Sequence, residues 1–189
     1  MLRQRQHSLL VRRLLPLLWA GCALAVPLSS PAQFVAASQS SVAVAFTPGR
    51  ALPMVLDTIR SARSTILVAA YSFTSKPVAT ALRDASRRGV KVFVLADAEE
   101  ADKGYSAVRF LANERVPVRT NGRYAIQHNK FMVIDGHTVQ TGSFNYTSSA
   151  AQRNAENVLV VRDAPALAAQ YEAEWRRLWN EGKELTPSY

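Results

Sequence analysis

The dipeptide Asp135-Gly136 constrains the fold more than any other feature of the sequence. It separates two runs of alternating apolar and polar residues, Lys130–Ile134 and 137–141. Asp-Gly between such runs predicts a two-residue β-hairpin turn, because both turn positions need a positive φ that Gly and Asp tolerate. We therefore expect two adjacent antiparallel strands in this part of the chain.

A turn centred on these two residues also predicts the register of the hairpin. The predicted pairs are Ile134 with His137, Met132 with Val139, Lys130 with Thr141, and His128 with Ser143. Side chains alternate between the two faces of a strand with period two. His128, Lys130, Thr141 and Ser143 should therefore share one face at the open end of the hairpin, with Asn145 just beyond.

The residues at this open end predict a site for a phosphodiester. Lys130, Ser143 and Asn145 can hold an anion, and the His128 imidazole would be aimed at it. A phosphodiester needs its non-bridging oxygens stabilised as charge develops, and such donors supply this without a metal. Imidazole can attack phosphorus or pass protons to a leaving alkoxide. His-x-Lys alone is common on surface strands, so the prediction depends on Gly-Ser-Phe-Asn at the matching register.

Other familiar sites fit the sequence less well. A metal site is disfavoured because His128 and His137 fall at opposite ends of the predicted hairpin, and Lys130 would repel a divalent cation. Gly142-Ser143 lacks the second glycine of a serine-hydrolase elbow. The sequence also contains no phosphate-binding G-x-x-x-x-G-K-[ST] loop. We therefore expect neither a metal nor a cofactor.

Two carboxylates have different predicted roles. Seven extended residues separate His128 from Asp135, a span of roughly 23 Å. Asp135 therefore cannot contact its own His128, and we expect it to shape the turn. A nucleophilic histidine also needs a carboxylate on its second nitrogen to fix its tautomer. Glu156, at the start of the next predicted strand, is the better candidate, although a glutamate at a strand start is often merely solvated.

The N-terminus has the pattern of a secretory signal peptide over residues 1–32. Four arginines precede an apolar stretch at residues 14–26, and small residues lead to Ala32. The apolar stretch is shorter than the roughly 20 residues that a membrane span needs. We expect cleavage near Ala32, with a retained N-terminal anchor as the alternative. Cys22 is the one cysteine in the sequence, so the mature chain would have no thiol.

The charge balance is basic throughout the chain. The formal net charge is +9, and without residues 1–32 the chain retains 19 Lys and Arg against 14 Asp and Glu. A basic surface suits a polyanion such as nucleic acid or anionic lipid. A solvated basic surface without a partner accounts for the charge equally well.

The remaining sequence alternates between strand and helix patterns. After a linker at residues 33–41, residues 42–189 are predicted to form one domain. Apolar runs predict strands at residues 42–46, 65–71, 90–96, 116–119 and 156–162, besides the hairpin. Helical periodicity predicts helices at residues 51–62, 76–88, 105–114, 147–153 and 165–180. This order predicts an α/β fold, an α/β/α sandwich with a central mixed sheet.

The same residues resemble the signature of the phospholipase D superfamily, H-x-K-x₄-D followed by G-S-x-N. The matching residues are His128-Asn129-Lys130, Asp135 and Gly142-Ser143-Phe144-Asn145. Segments 69–82, 87–98, 124–136 and 153–161 also look like the small, secreted Nuc-type bacterial endonucleases, which carry one motif per chain. The resemblance extends from Val42 to the last helix.

The resemblance implies a mechanism and a dimer. One motif histidine attacks phosphorus to give a phosphohistidine, and a second protonates the leaving group, without a metal. Lys130 and Asn145 would bind phosphate oxygens, Ser143 would assist, and Glu156 would orient His128. Because this chain carries one motif, two imidazoles require two chains, so we expect a C₂ homodimer with both motifs at the interface.

The expected function is therefore a sequence-nonspecific endonuclease acting on DNA, with RNA as a second candidate substrate. The alternatives are a hydrolase of phosphatidyl lipids and a catalytically inactive nucleic-acid-binding module. Lys76, Arg119, Arg123 and Arg153 are weaker candidates for backbone contacts, and Tyr124 and Tyr146 either stack on bases or pack internally. We expect a periplasmic or secreted protein without stable membrane association after cleavage.

Overall fold

The computed structural model describes residues 40–188. The predicted signal peptide, the retained anchor and nearly all of the predicted linker lie outside these residues. Ser41, the last residue of the predicted linker, begins the first strand. No helix within residues 40–188 is both long and apolar enough to cross a bilayer.

Within residues 40–188, eight strands form one mixed sheet. They are β1 Ser41–Phe46, β2 Thr65–Ala70, β3 Lys91–Asp97, β4 Val118–Asn121, β5 Lys130–Ile134, β6 Thr138–Gly142, β7 Asn157–Arg162 and β8 Lys183–Glu184. Their order across the sheet is β1-β7-β6-β5-β2-β3-β4-β8. Strands β2, β3 and β4 run parallel, and every other neighbouring pair is antiparallel. The predicted mixed sheet is confirmed.

Six helices connect the strands in the described part of the chain. They are α1 Ala51–Ser61, α2 Lys76–Arg87, α3 Ala98–Asp102, α4 Ala107–Asn113, α5 Ser148–Gln152 and α6 Pro165–Glu181. Sequence signals fix both ends of α2. The Ser75 side chain accepts a hydrogen bond from the Val78 backbone N–H at its start. Beyond its end, Gly89 has a φ of 92°, which suits glycine.

Helices cover both faces of the sheet. On one face, α1, α2 and α4 bury a large core that includes Val55, Leu82 and Leu111. On the other face, α6 packs over the central strands, and Trp175 donates a hydrogen bond of 2.9 Å to the Val68 carbonyl. The two cores confirm the α/β/α sandwich.

Two short elements were not predicted. Helix α3 is a single capped turn, in which the Asp97 side chain accepts from the Glu100 backbone N–H. Five residues are too few to show helical periodicity in the sequence. Strand β8 has only two residues, and its pairing with β4 depends on where α6 ends.

The β5–β6 hairpin differs from its predicted register by one residue. Asp135 and Gly136 have φ values of 53° and 70°, as predicted. His137 is an additional, unpaired residue, however, so Ile134 pairs with Thr138 and Phe131 with Thr141. A slip of one residue moves every side chain of β6 to the other face. The four predicted pairs were therefore wrong, and Thr141 shares a face with Phe131 rather than with Lys130.

Candidate active site

The predicted site residues surround one cavity of about 400 Å³, where β5 begins and β6 ends. His128, Lys130, Ser143, Asn145 and Glu156 all line it. They converge because strand ends and loops meet here, and not because they share one face of a hairpin. The α6 residue Tyr171 also lines the cavity, and no sequence signal marked it.

The backbone around His128 is held by a buried amide side chain. Gln127 donates a hydrogen bond of 2.8 Å from its backbone N–H to Asp97, and one of 3.3 Å from Nε2 to the Ala70 carbonyl. Its Oε1 accepts from the Asn129 backbone N–H at 2.8 Å. These bonds bracket His128, so its main chain has a fixed position although its side chain is exposed.

Lys130 is a buried cation. It is 8% exposed, and its Nζ donates a hydrogen bond of 2.7 Å to the His128 carbonyl. Burial lowers the pKa of Lys130, and the negative charge of Glu156 offsets part of this effect. The ammonium is therefore poorly solvated, and an anion in the cavity would stabilise it.

Gly142 allows β6 and β7 to approach closely. Its φ is 150°, and a Cβ at this position would lie 2.2 Å from the Asn157 carbonyl oxygen. The close approach places the Ser143 hydroxyl to donate to Glu156 Oε2 at 2.5 Å and to accept from the Asn157 N–H at 3.1 Å. A residue with a Cβ would therefore clash with the Asn157 backbone at the position before Ser143.

Glu156 is held by residues other than His128. Its Oε1 accepts from Asn154 Nδ2 at 2.8 Å, and its backbone N–H donates to Thr47 Oγ1 at 2.8 Å. Thr47 is a buried residue that follows β1, and the sequence did not mark it. Within residues 40–188 no hydrogen bond joins Glu156 to His128, so the contact implied by the expected orienting role is not made.

Two groups of the site have no hydrogen-bond partner in the described part of the chain. Asn145 Oδ1 is buried and unpaired. The His128 imidazole makes no hydrogen bond, and its ring instead contacts the Tyr71 ring at a centroid distance of 4.7 Å. Buried polar groups are normally paired, which makes Asn145 Oδ1 unusual, whereas the exposed imidazole is open to a ligand.

Asp135 lies at the opposite end of the hairpin. Its carboxylate accepts backbone hydrogen bonds from Arg63, Ser64 and Thr65 at 2.9, 2.8 and 2.9 Å. Partial burial alone would raise the pKa of Asp135, but these donors outweigh it and lower the pKa. The carboxylate fastens the turn to the start of β2, in agreement with the predicted structural role.

The weaker cationic candidates lie outside the cavity. Lys76, Arg123 and Arg153 are all exposed, and none of these three described residues lines it. Arg123 lies 3.8 Å from Glu181. Arg119 donates to the Trp179 carbonyl at 2.9 Å and stacks on its ring, which is a packing role. Contacts of the three exposed cations with a substrate backbone stay a prediction.

The two tyrosines that flank the motif differ in burial and in their contacts. Tyr146 is fully buried, and its hydroxyl donates to Gln140 at 2.8 Å. Burial also raises the pKa of Tyr146. It is therefore a core residue that is not accessible to bases. Tyr124 is 38% exposed, and its hydroxyl contacts Glu181 and Arg177.

The second histidine of the domain is remote from the cavity. His137 Nδ1 lies 3.8 Å from Asp163, at the turn end of the hairpin. Between residues 40 and 188 no cluster of three or more His, Cys, Asp or Glu is suited to hold a metal. A reaction without a metal stays a prediction.

Comparisons with known proteins agree with this geometry. Residues 55–179 match the family model described as cardiolipin synthase, PLD-like domain. A phospholipase D of Rickettsia bellii is 38% identical over 139 residues, 73% of this chain and 69% of that protein. A mitochondrial cardiolipin hydrolase of Xenopus laevis is 34% identical over 139 residues, covering 74% of this chain and 66% of that protein.

Solved structures show the same fold. Nuc from Salmonella typhimurium, a phospholipase D family member, superposes with a TM-score of 0.77 at 38% identity. The match covers 78% of this chain and 99% of that one. NucT from Helicobacter pylori has a TM-score of 0.71 at 23% identity and covers 78% of this chain and all of its own, which supports the fold alone.

A sandwich with a polar cavity at the strand ends, built around H-x-K-x₄-D and G-S-x-N, defines a phosphodiester hydrolase. The chain belongs to the phospholipase D superfamily. The names of its relatives differ in the substrate that they suggest, since some refer to lipids and others do not.

Proposed function

We propose that this protein is a metal-independent endonuclease that hydrolyses DNA without sequence preference, through a phosphohistidine intermediate at a homodimer interface. RNA is the second candidate substrate. The observation that carries the proposal is the cavity itself, where the exposed imidazole of His128 and the side chain of Asn145 meet the buried ammonium of Lys130.

The proposed reaction has two steps. An imidazole nitrogen of His128 attacks phosphorus, and the bond from phosphorus to the leaving oxygen breaks as that oxygen takes a proton from His128 of the partner subunit. The deprotonated imidazole of His128 of the partner subunit then takes a proton from water. This water attacks the phosphohistidine, and the phosphorus–nitrogen bond breaks to release the product and free His128.

The other site residues would bind the phosphate. Lys130 supplies a poorly solvated positive charge, which is worth more against a developing anion than a solvated one. The Asn145 side chain lines the cavity, and its amide N–H groups would donate to phosphate oxygens. Ser143 donates its one hydroxyl proton to Glu156, so it would assist by holding that carboxylate in place beside the phosphate.

The proposed reaction needs a second imidazole and therefore a second chain. An exposed apolar surface beside the cavity could bind that chain. We call Val42, Val44 and Phe46 the β1 stripe; these three side chains are 64%, 55% and 61% exposed. They alternate along the edge strand on the face that α6 covers elsewhere. An exposed apolar row of this kind is typical of a surface that contacts another molecule.

The β1 stripe is continuous with the site. Val44 pairs with Leu159, and Leu159 pairs with Thr141, which lines the cavity. A second copy docked along this row by a twofold axis would lie next to His128 and could supply the missing imidazole. We therefore propose the stripe as part of the homodimer interface.

The resemblance to the Nuc-type endonucleases favours nucleic acid over lipid as the substrate. The expected mature chain carries 19 Lys and Arg against 14 Asp and Glu, which suits nucleic acid and an anionic lipid surface alike. The similarity to Nuc covers 99% of that chain. The lipid alternative is supported by the names of the Rickettsia and Xenopus relatives. An expected leader near residues 1–32 further suggests a periplasmic or secreted location.

A plasmid assay tests the proposed function. Purified protein in excess chelator should nick supercoiled plasmid, and the His128→Ala variant should not. Intact plasmid in chelator, with cleavage restored by magnesium, would contradict the metal-free mechanism. A parallel assay with phosphatidylcholine in mixed micelles covers the alternative, and lipid hydrolysis without nicking would reverse the choice of substrate.

The dimer has its own test. Val44→Asp places a charge in the β1 stripe and should give a monomer with greatly reduced activity, measured by light scattering and plasmid nicking. Phe110→Asp is the matched control, because Phe110 is an exposed apolar residue on α4, 37% exposed. Full activity of a monomeric protein across a dilution series would refute the shared site.

A further inference from the structure

We infer that Tyr71 is a positioning residue for His128, and that its aromatic ring limits the orientations of the imidazole. The inference rests on the proposed role of His128 as the nucleophile. It identifies a residue outside the H-x-K-x₄-D and G-S-x-N motifs.

The contacts of the imidazole carry the inference. The His128 and Tyr71 rings lie 4.7 Å apart between centroids, tilted by 60°. Within residues 40–188 of one chain, this ring contact is the side-chain interaction found for the imidazole. A ring at this distance restricts the side-chain rotation of His128.

Tyr71 is well placed to act as a fixed platform. It directly follows β2, a central strand with buried side chains between β3 and β5. Ala70 pairs with Lys130 in the β2–β5 ladder, so Tyr71 continues toward the residues that precede β5. A half-buried ring at the end of a central strand has little freedom to move, which suits an orienting role.

The same ring lies close to the ammonium of Lys130. The Nζ atom is 5.2 Å from the Tyr71 ring centroid, within the range of a cation–π contact. Lys130 has a second anchor, however, in its hydrogen bond to the His128 carbonyl. No second contact of the imidazole is found within residues 40–188, so loss of the ring should affect His128 much more than Lys130.

The tyrosine hydroxyl is not the group that acts. In the described part of the chain it makes no hydrogen bond, whereas the ring contacts both His128 and Lys130. Two substitutions of Tyr71 should therefore differ in their effect on activity. Phenylalanine keeps the ring and should keep the function, and leucine removes the ring and should lose it.

Kinetics on bis(p-nitrophenyl) phosphate give the first test. We expect Tyr71→Leu to lower kcat about 10- to 100-fold with KM changed less than twofold, because orientation is lost while the phosphate contacts remain. Tyr71→Phe should stay within about twofold of wild type in both constants. Tyr105→Leu, which removes an exposed tyrosine from the turn before α4, is the matched control and should leave both constants unchanged.

Proton NMR of the histidine rings gives a test that needs no turnover. His128 ring signals, assigned by their loss in His128→Ala, should carry a ring-current shift in wild type and Tyr71→Phe that disappears in Tyr71→Leu. If the wild type hydrolyses no phosphodiester, the ring-current shift can still be measured. Failure of the proposed function and failure of the inference about Tyr71 therefore give different results.

Three results would overturn the inference. They are wild-type kcat in Tyr71→Leu, an unchanged His128 signal in that variant, or a Tyr71→Phe variant as impaired as Tyr71→Leu. If Tyr71→Leu has a lowered Tm, Tyr71→Met replaces it, because an unbranched side chain fills irregular space while still lacking the ring. The same loss of kcat and of the ring-current shift is expected there.

Discussion

The two ends of the β5–β6 hairpin use their polar groups in opposite ways. At the turn end, the Asp135 carboxylate accepts hydrogen bonds from three successive backbone N–H groups at the start of β2. At the open end, the His128 imidazole and Asn145 Oδ1 have no partner within residues 40–188, and the Lys130 ammonium is poorly solvated. One end satisfies its polar groups internally, and the other leaves them available.

This difference explains how one short motif serves two purposes. The hydrogen bonds of Asp135 lower its pKa and fix the loop that begins β2, the strand that leads to Tyr71. Unpaired groups at the other end cost stability, which the well-packed sandwich tolerates. Substitutions at the open end should therefore change activity, whereas substitutions at the turn end should change stability.

The largest expected effect separates the two histidines of the domain. His128→Ala should lower turnover of bis(p-nitrophenyl) phosphate about 10³-fold or more, because it removes the proposed nucleophile. His137→Ala, at the turn end, should leave the rate within about twofold. Both variants should retain the circular dichroism spectrum of the wild type. Equal losses in the two variants would refute the assignment of the open end as the site.

Two glycines, one at each end of the β5–β6 hairpin, test the same difference between activity and stability. Gly142→Ala should lower activity about 10²-fold, because its Cβ would meet the Asn157 carbonyl at 2.2 Å and displace Ser143. Gly136→Ala has open space around it but a φ of 70°, so it should cost about 1 kcal/mol of unfolding free energy and leave activity intact. Urea unfolding and kinetics distinguish the two. A Gly142→Ala variant with normal turnover would contradict the steric explanation.

The smallest effect is a pH-dependent change in stability at the turn end. Asp135→Asn keeps a residue that tolerates positive φ and should cost about 1–2 kcal/mol of unfolding free energy at pH 7. The pKa of Asp135 is lowered in the folded state, so its contribution is full above the ordinary value of 3.8 and is lost as pH falls through the folded value. The difference between wild type and variant should therefore shrink in acid.

Asp163 provides the matched control for that experiment. It also has a positive φ, 55°, but its side chain is 72% exposed. Asp163→Asn should change the unfolding free energy by less than about 0.5 kcal/mol at either pH. Urea unfolding at pH 7 and pH 3 measures both variants. A cost of Asp135→Asn that does not depend on pH would show that ionisation of the carboxylate plays no part.

Most of the secondary structure was predictable because its signals are local. The apolar run at Thr65–Ala70, the cap at Ser75 and the glycine at Gly89 each specify a nearby backbone conformation. Asp135-Gly136 likewise specified the turn. The motif residues that line the cavity were also identified from the sequence, because their spacing is distinctive.

The register and the contacts of the site were decided by the tertiary structure. Nothing near His137 marks it as an additional residue, and its exclusion from the ladder depends on how β6 fits between β5 and β7. Thr47 holds Glu156 across 109 positions of the chain. Such contacts depend on which strands become neighbours, and side-chain periodicity does not encode that order.

The sequence alone thus determined the class of fold, the position of the turn and the chemical groups of the site, since local conformation and residue type suffice for these; the predicted two-residue loop was one residue too short. Only the tertiary structure decided which partner each group has. In the folded chain Glu156 accepts a hydrogen bond from Ser143, and the imidazole of His128 contacts the ring of Tyr71. The physical reason is that a side chain bonds to whatever the packed strands bring within reach, and this depends on the whole sheet.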